Sequence, residues 1–342
     1  MLARLAQRAR VGEQDVIGLL RAYGRDVAGA LQIWDPDVPG EPKRPTLERL
    51  SNAGVAALLE HVQDNPLGNK AAGGKTSLAG VQDKIVLGRT EDGWNRVIDG
   101  WPSTHILKPE SRDHPTSIYD EEFGSRFARS AGLTSYPTWI EEFTGIPAVV
   151  IERYDRSPAA TQGRIHQEDF NQVLGEAGNQ KYQKYGGKVS LKRIARVFSA
   201  VGDRASVERL FALVTVSVSV GNLDLHAKNL SLLHLPDGSM TLSPAYDMVP
   251  QAHQPNDGEV ALAVDGEYRH AALTLNHLVA EGRSWGLARA SDIAEEALTT
   301  VLQLASTETA HERAHPGLAR DISGFASNLL AGHPIGASGY RR

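Results

Sequence analysis

From Leu210 to Val220 the chain is almost wholly apolar, and it then breaks into Gly221-Asn222-Leu223-Asp224-Leu225-His226-Ala227-Lys228-Asn229. The run reads as a buried helix, so the polar string begins where burial demands partners for polar groups. A fold that accepts this chain must hold a polar loop at the end of a core helix. Asp247, in Ser243-Pro244-Ala245-Tyr246-Asp247, follows Asn229 by eighteen residues. A short hairpin over 229–242 accounts for that spacing and returns the chain toward the loop.

Two carboxylates, an amide and a lysine in this order suit phosphoryl transfer. The chemistry needs a carboxylate to orient and deprotonate a hydroxyl, a cation near the migrating phosphate, and oxygen ligands for magnesium. Asp224, Lys228, Asn229 and Asp247 supply that set. Asp, Asn and His also crowd ordinary turns, where their side chains bond backbone groups. A lone Asp-x-His therefore reads as turn chemistry, whereas the whole string behind a buried helix reads as a site.

With 342 residues the chain can bury a sizeable interior and suits two lobes or domains. A net charge of −5 argues against a protein that coats nucleic acid. The absence of cysteine removes disulfides and thiolate zinc sites. No charged-then-apolar segment opens the sequence, and the apolar run near 210–220 is too short for a bilayer. The expected compartment is the cytoplasm, with no membrane partner.

Spacing predicts a helix over Val11–Ala22 and a strand or short helix over Val27–Trp34, followed by a proline-punctuated spacer at 35–45. A helix is expected over Asn52–Val62 and a mobile loop over Pro66–Lys75. Strands are expected at Lys84–Leu87, Asn95–Ile98 and His105–Leu107. Residues 119–132 read as helix, 137–142 and 147–151 as extended, and most of the chain beyond 167 as helical apart from the hairpin.

Such a layout places a nucleotide between two lobes, and the front half offers contacts for it. Thr76-Ser77-Leu78-Ala79-Gly80-Val81-Gln82-Asp83-Lys84 joins a glycine-containing loop to a strand, where backbone N–H groups can surround phosphate; it also reads as a small-residue turn. Lys108 closes the strand-like Thr104-His105-Ile106-Leu107 and suits a phosphate-contacting lysine, or a solvated strand end. Glu121 or Glu122 would orient such a lysine, or simply favour a helix dipole. Val149 to Arg156 leaves an apolar strand for a charged turn. There, backbone groups of Glu152 and Tyr154 can meet an adenine edge, unless the turn is only a solvated charge cluster. Lys181, Lys184, Lys188, Lys192 and Arg193 form a basic stretch that reads first as a solvated face.

In order along the chain, these segments resemble a known family, the HipA-like serine/threonine kinases. Ser77–Lys84 is similar to their Ser-x-Ala-Gly-x-Gln-x-Lys loop, Thr104–Lys108 to Thr-His-x-x-Lys, and Glu152–Arg156 to Glu-Arg-Phe-Asp-Arg. Gln167-Glu168-Asp169-Phe170 and Lys181-Tyr182 with Gly186-Gly187 resemble further family segments. Asn222–Asn229 resembles Asn-Thr-Asp-x-His-x-Lys-Asn, with Leu223 in place of threonine, and Ser243–Asp247 resembles x-Pro-x-Tyr-Asp.

The resemblance implies an α+β, bilobal protein-kinase-like fold with a small mixed N-lobe and a larger, mainly helical C-lobe. It implies a remnant of the family's N-terminal domain at 1–62, a nucleotide-binding lobe at 63–151, a catalytic lobe at 152–333 and a tail at 334–342. ATP and Mg2+ would be the cofactors, and a protein serine or threonine would take the γ-phosphate. Asp224 would be the base and Lys228 would neutralise developing charge. His226 would order the loop, and Asn229 and Asp247 would ligate magnesium. Ala79, Gly80, Gln82, Lys84 and Lys108, with backbone atoms of Glu152 and Tyr154, would hold ATP, with Glu121 orienting the lysine. Ser77 would be autophosphorylated, placing roughly −1.5 to −2 charge beside the nucleotide.

Family partners would be a DNA-binding antitoxin, through which alone DNA is met, and a protein substrate such as an aminoacyl-tRNA synthetase, leading to growth arrest and persistence. Residues 1–34 resemble the later part of the family's N-terminal domain, whose β-rich first subdomain has no counterpart here. Either a small separate protein supplies it or the chain is truncated. Two other functions stay open: a small-molecule kinase, and a nucleotide-binding pseudokinase or scaffold acting with an antitoxin in transcriptional autoregulation. A hydrolase built on His226 and His234 lacks a recognisable set of three metal ligands.

Overall fold

The computed structural model describes residues 2–63, 67, 76, 78, 82–176 and 180–337. It divides into two compact units, Met1–Ile118 with Tyr136–Gln167, and Tyr119–Ser135 with Glu168–Arg342. The first unit begins with α1 (Leu2–Ala9) and α2 (Val16–Tyr23). The helix expected from Val11 starts later because the Asp15 carboxylate accepts the Gly18 N–H at 2.8 Å and caps it there. Val27–Trp34 is neither strand nor helix. Its Gly29 N–H goes to Asp155 Oδ2 at 2.8 Å and its Ile33 N–H to the Gly24 carbonyl at 2.8 Å, so side-chain and turn bonds replace a ladder.

After the spacer come β1 (Thr46–Arg49), α3 (Asn52–Glu60), β2 (Ile85–Thr90), β3 (Gly93–Ile98) and β4 (His105–Pro109). The chain then enters α4 (Ser117–Ser130), which belongs with the second unit from Tyr119 onward, and returns as β5 (Thr138–Phe143) and β6 (Ile146–Glu152). The strands form one sheet of order β1-β3-β2-β4-β6-β5, with antiparallel neighbours throughout. β1 was not expected, because Thr-Leu-Glu-Arg at a sheet edge shows no apolar alternation.

Both faces of β2 are covered, which explains its continuous apolar run. Ile85 and Leu87 pack with Val55, Leu58 and Leu59 of α3, whereas Val86 packs with Leu5 of α1 and Tyr23 of α2. In β4, Leu107 joins the α3 side, so the pleat places Lys108 on the opposite face.

The second unit resumes at Glu168, within β7 (His166–Asp169), which runs into the single-turn α5 (Phe170–Val173), capped by Asp169 and Gln172 in a capping box. There follow α6 (Leu191–Ala200), α7 (Arg204–Val220), β8 (Ser231–His234) and β9 (Met240–Leu242). The hairpin expected over 229–242 forms with Leu232 opposite Leu242. The back half also contains β10 (Glu259–Val264) and β11 (Glu267–Arg269), a second hairpin in a region expected to be helical. Glu-Val-Ala-Leu-Ala-Val suits either conformation; Asp265 and Gly266, both at positive φ, form the turn that decides it. Then α8 (Leu275–Ser284), α9 (Ala290–Thr307) and α10 (Leu318–Leu330) complete the unit, and α7 packs against α6, α9 and α10. The fold class is α+β. Among the described residues no helix is long and apolar enough to cross a membrane.

Candidate active site

The loop of Asp224 is set by the end of α7. Asp203 caps the helix start, and from Leu213 to Val220 every residue is buried. Gly221 ends the helix in the left-handed region with φ 75°. A Cβ there would lie 2.8 Å from the Ala252 Cβ, and the Gly221 carbonyl accepts the N–H groups of Gln251 and Ala252 at 2.8 and 3.0 Å. Glycine therefore satisfies both the turn and the close approach of the segment beyond Asp247.

The groups singled out in the sequence converge here. Asn222 Oδ1 accepts the Asp224 N–H at 3.1 Å. Asn229 Nδ2 donates to the Asp224 carbonyl at 2.9 Å and to Asp247 Oδ2 at 3.2 Å. Both amide hydrogens of Asn229 are thus committed, which leaves Oδ1 as its polar atom for a cation. Asp247 is at φ 55°, a conformation that Asp tolerates better than most residues and that concentrates at functional sites. The Tyr246 hydroxyl braces the loop by donating to the Lys228 carbonyl at 2.9 Å, and it lies 2.7 Å from Ser231 Oγ. Hard oxygen donors of this kind suit Mg2+.

His226 is buried, and its Nε2 lies 2.8 Å from Lys181 Nζ. A lysine ammonium has no acceptor, so Nε2 takes the hydrogen bond and the imidazole is neutral. Burial lowers the His226 pKa, with Lys181 acting in the same direction against Asp224. His226 Nε2 is thus engaged by Lys181 and makes no hydrogen bond to Asp224, whose Oδ2 is 3.8 Å away. Lys228 Nζ lies 4.0 Å from Asp169 Oδ2. In the basic stretch Lys184, Lys188 and Lys192 are exposed, as a solvated face requires, whereas Lys181 turns to His226 and Arg193 pairs with Glu176.

In the first unit, Lys84 lies buried just before β2 and Lys108 buried within β4, opposite Val149 of β6. Gln82 is half-buried. The Glu152 N–H is already bonded to the Pro137 carbonyl at 3.1 Å, so an adenine contact at that residue falls to its carbonyl. Ser77, Ala79 and Gly80 lie outside the described residues. Glu121 is buried in α4, in the second unit, and its neighbour Glu122 is held by Arg126 through two 2.9 Å bonds.

The charged turn after β6 is not solvated. Asp26, Arg153, Asp155, Arg156 and Arg164 are all buried in one network. Arg153 bonds both Asp155 oxygens at 2.9 and 2.8 Å, and Arg156 reaches Asp26 at 2.9 Å and Asp155 at 3.0 Å. Burial alone would raise the Asp155 pKa, yet Arg153 and Arg156 hold it well below the usual carboxylate range. Pattern reading placed charge here and missed its burial, because the partner Asp26 is 130 residues away. It also missed Tyr182, which donates to Asp224 Oδ1 at 2.9 Å. The nearest sequence signal for that contact was the Lys181-Tyr182 pair itself.

Comparison with known proteins gives a consistent result. The family described as HipA-like C-terminal domain matches residues 76–307. Y4mE of Sinorhizobium fredii, named as a candidate kinase, is 33% identical over 261 residues, covering 73% of this chain and 61% of its own length. The serine/threonine-protein kinase toxin HipA of Shewanella oneidensis is 26% identical over 83% of this chain and 68% of its own. The chain thus spans less than two-thirds of the length of Y4mE. A solved structure of Shewanella oneidensis HipA with HipB and operator DNA superposes with a TM-score of 0.75 at 23% identity, covering 96% of this chain and 80% of that one.

Proposed function

The chain belongs to the HipA-like C-terminal domain family, and on that premise we propose that it is an ATP-dependent protein kinase acting on serine or threonine. The observation that carries the reading is the convergence of Asp224, Asn229 and Asp247 around one amide, at 2.9 and 3.2 Å. Asp224 would take the acceptor hydroxyl's proton, and Asn229 Oδ1 and the Asp247 carboxylate would hold Mg2+. The metal would neutralise charge on the nucleotide phosphates. Lys108, Lys84 and Gln82 would contact ATP, Lys228 would offset charge on the transferred group, and Ser77 would be a site of autophosphorylation. Because the related HipA was solved with HipB and operator DNA, a DNA-binding antitoxin is the proposed partner, and growth arrest through a phosphorylated protein the proposed outcome.

The test is to incubate the purified chain with γ-labelled ATP, Mg2+ and a proteome extract and to map phosphosites by mass spectrometry. Label on serine or threonine of acceptor proteins is expected from the wild-type chain and not from Asp224→Asn. Tight ATP binding with no transfer would instead favour the pseudokinase.

A further inference from the structure

The loop that carries Asp224 secures its backbone but not its carboxylate. The Asp224 N–H goes to Asn222, and its carbonyl receives the Asn229 amide and the His226 N–H. The carboxylate is oriented from elsewhere, by the Tyr182 hydroxyl on Oδ1 at 2.9 Å. Oδ2 faces His226 at 3.8 Å, beyond hydrogen-bond length. Nε2 of that imidazole is engaged by Lys181 at 2.8 Å. Asp224 thus has one oxygen held by a phenol and the other directed to a nitrogen that has no proton to give. Its side chain is 37% exposed, so Oδ2 is within reach of an incoming hydroxyl.

Tyr182 is itself firmly placed. The Lys181 ammonium lies 4.6 Å from its ring centroid, and the His226 ring meets it edge-on at 5.4 Å. The Tyr182 carbonyl accepts the Gly187 N–H at 3.1 Å, and a Cβ on Gly187 would lie 2.5 Å from that carbonyl oxygen. Gln183 Oε1 takes the Ala263 N–H at 3.1 Å, tying the segment to β10. Burial, and after it the Asp224 charge, raises the Tyr182 pKa, so the phenol remains a donor at neutral pH.

We propose that Tyr182 is the positioning residue of the base: its hydroxyl fixes the Asp224 carboxylate so that Oδ2 is the oxygen presented to the acceptor hydroxyl. The inference rests on the kinase reading above. In transfer, the acceptor O–H bond breaks as its proton passes to Oδ2. The acceptor oxygen bonds to the γ-phosphorus, and the bond from that phosphorus to the bridging oxygen breaks to release ADP. Tyr182 keeps its own proton throughout.

Tyr182→Phe removes one oxygen and retains the ring over Lys181 and against His226. With γ-labelled ATP, Mg2+ and proteome extract, the rate of label transfer at saturating ATP should fall roughly 10- to 100-fold, the loss expected for a hydrogen bond to a charged acceptor. The KM for ATP and the melting temperature should stay at wild-type values. Gly187→Ala, which displaces the Tyr182 carbonyl, should lower the same rate with the same unchanged KM. A wild-type rate in Tyr182→Phe overturns the assignment. So does a rate loss matched by a raised KM for ATP or a lowered melting temperature, which would give the hydroxyl a purely structural role. If the wild-type chain itself transfers no label, it is the kinase reading that fails, and this inference falls with it.

Discussion

Two charged turns leave apolar elements in this molecule, one after β6 and one after α7, and they end in opposite states. After β6, Asp155 is bonded by two arginines, and Asp26 by a third contact from Arg156, with every group buried. After α7, Asp224 keeps a part-exposed carboxylate with one strong donor, Tyr182, while its neighbours Asn229 and Asp247 hold each other. The first arrangement consumes the charge internally and fastens residues 26–29 to the end of the sheet. On the proposed function, the second would present the Asp224 carboxylate to a substrate and Asn229 Oδ1 to a metal. A charged turn is therefore a site only when its partners leave some of its valence unspent.

The comparison breaks most visibly at Asp224. Asp224→Asn keeps shape and removes the proposed base, so label transfer should fall about 10²- to 10⁴-fold with the melting temperature held. A large loss of stability instead would mean that Asp224, like Asp155, is a structural lock. The reverse holds for Asp155→Ala, which leaves Arg153 and Arg156 buried without their shared carboxylate. Denaturant titration should show a loss of about 3–5 kcal/mol. An unchanged midpoint would show that the network carries no structural load.

Acid should affect both units in the same window. His105 in the first unit and His270 in the second are each lowered to about 4, chiefly by burial. An imidazole depressed in the folded state binds its proton more readily when unfolded. Stability is therefore full above the ordinary value near 6.5 and is lost as pH falls toward 4, on the order of 2–3 kcal/mol for each histidine. His105→Gln and His270→Gln should each flatten part of that slope in a melting series from pH 7 to 4. The smallest matched effect lies at the helix caps. Ser51 accepts the Gly54 N–H in the first unit and Asp203 the Ser206 N–H in the second, at 3.1 and 3.0 Å. Ser51→Ala and Asp203→Ala should each cost about 1 kcal/mol in denaturant titration, and no loss in either would show that the cap bond is replaced by water.

Local signals were legible wherever the partner lies nearby in sequence. The α3 helix, strands β2 to β6 and the hairpin of β8 and β9 follow from apolar spacing and punctuation. β10 and β11 were lost because Val-Ala-Leu-Ala-Val carries no period, although Asp265-Gly266 marked the turn. Val27–Trp34 was misread because its backbone answers partly to distant side chains, the Gly29 N–H to Asp155 and the Val27 and Gly29 carbonyls to Arg156.

By itself the sequence determined the kinds and order of the reactive groups. An apolar helix leads to Asp224, Lys228 and Asn229, a hairpin follows, and Asp247 closes the set, with the family resemblance resting on the same segments. Tertiary structure alone decided which charges are spent and which are available. It buried Asp26 and Asp155 among arginines, set Lys181 on His226 across 45 residues, and brought Tyr182 to Asp224 across 42. The reason is physical: spacing reports which face of an element a side chain occupies, whereas the state of a carboxylate depends on desolvation and on donors within about 3 Å. Those donors arrive only when distant segments pack.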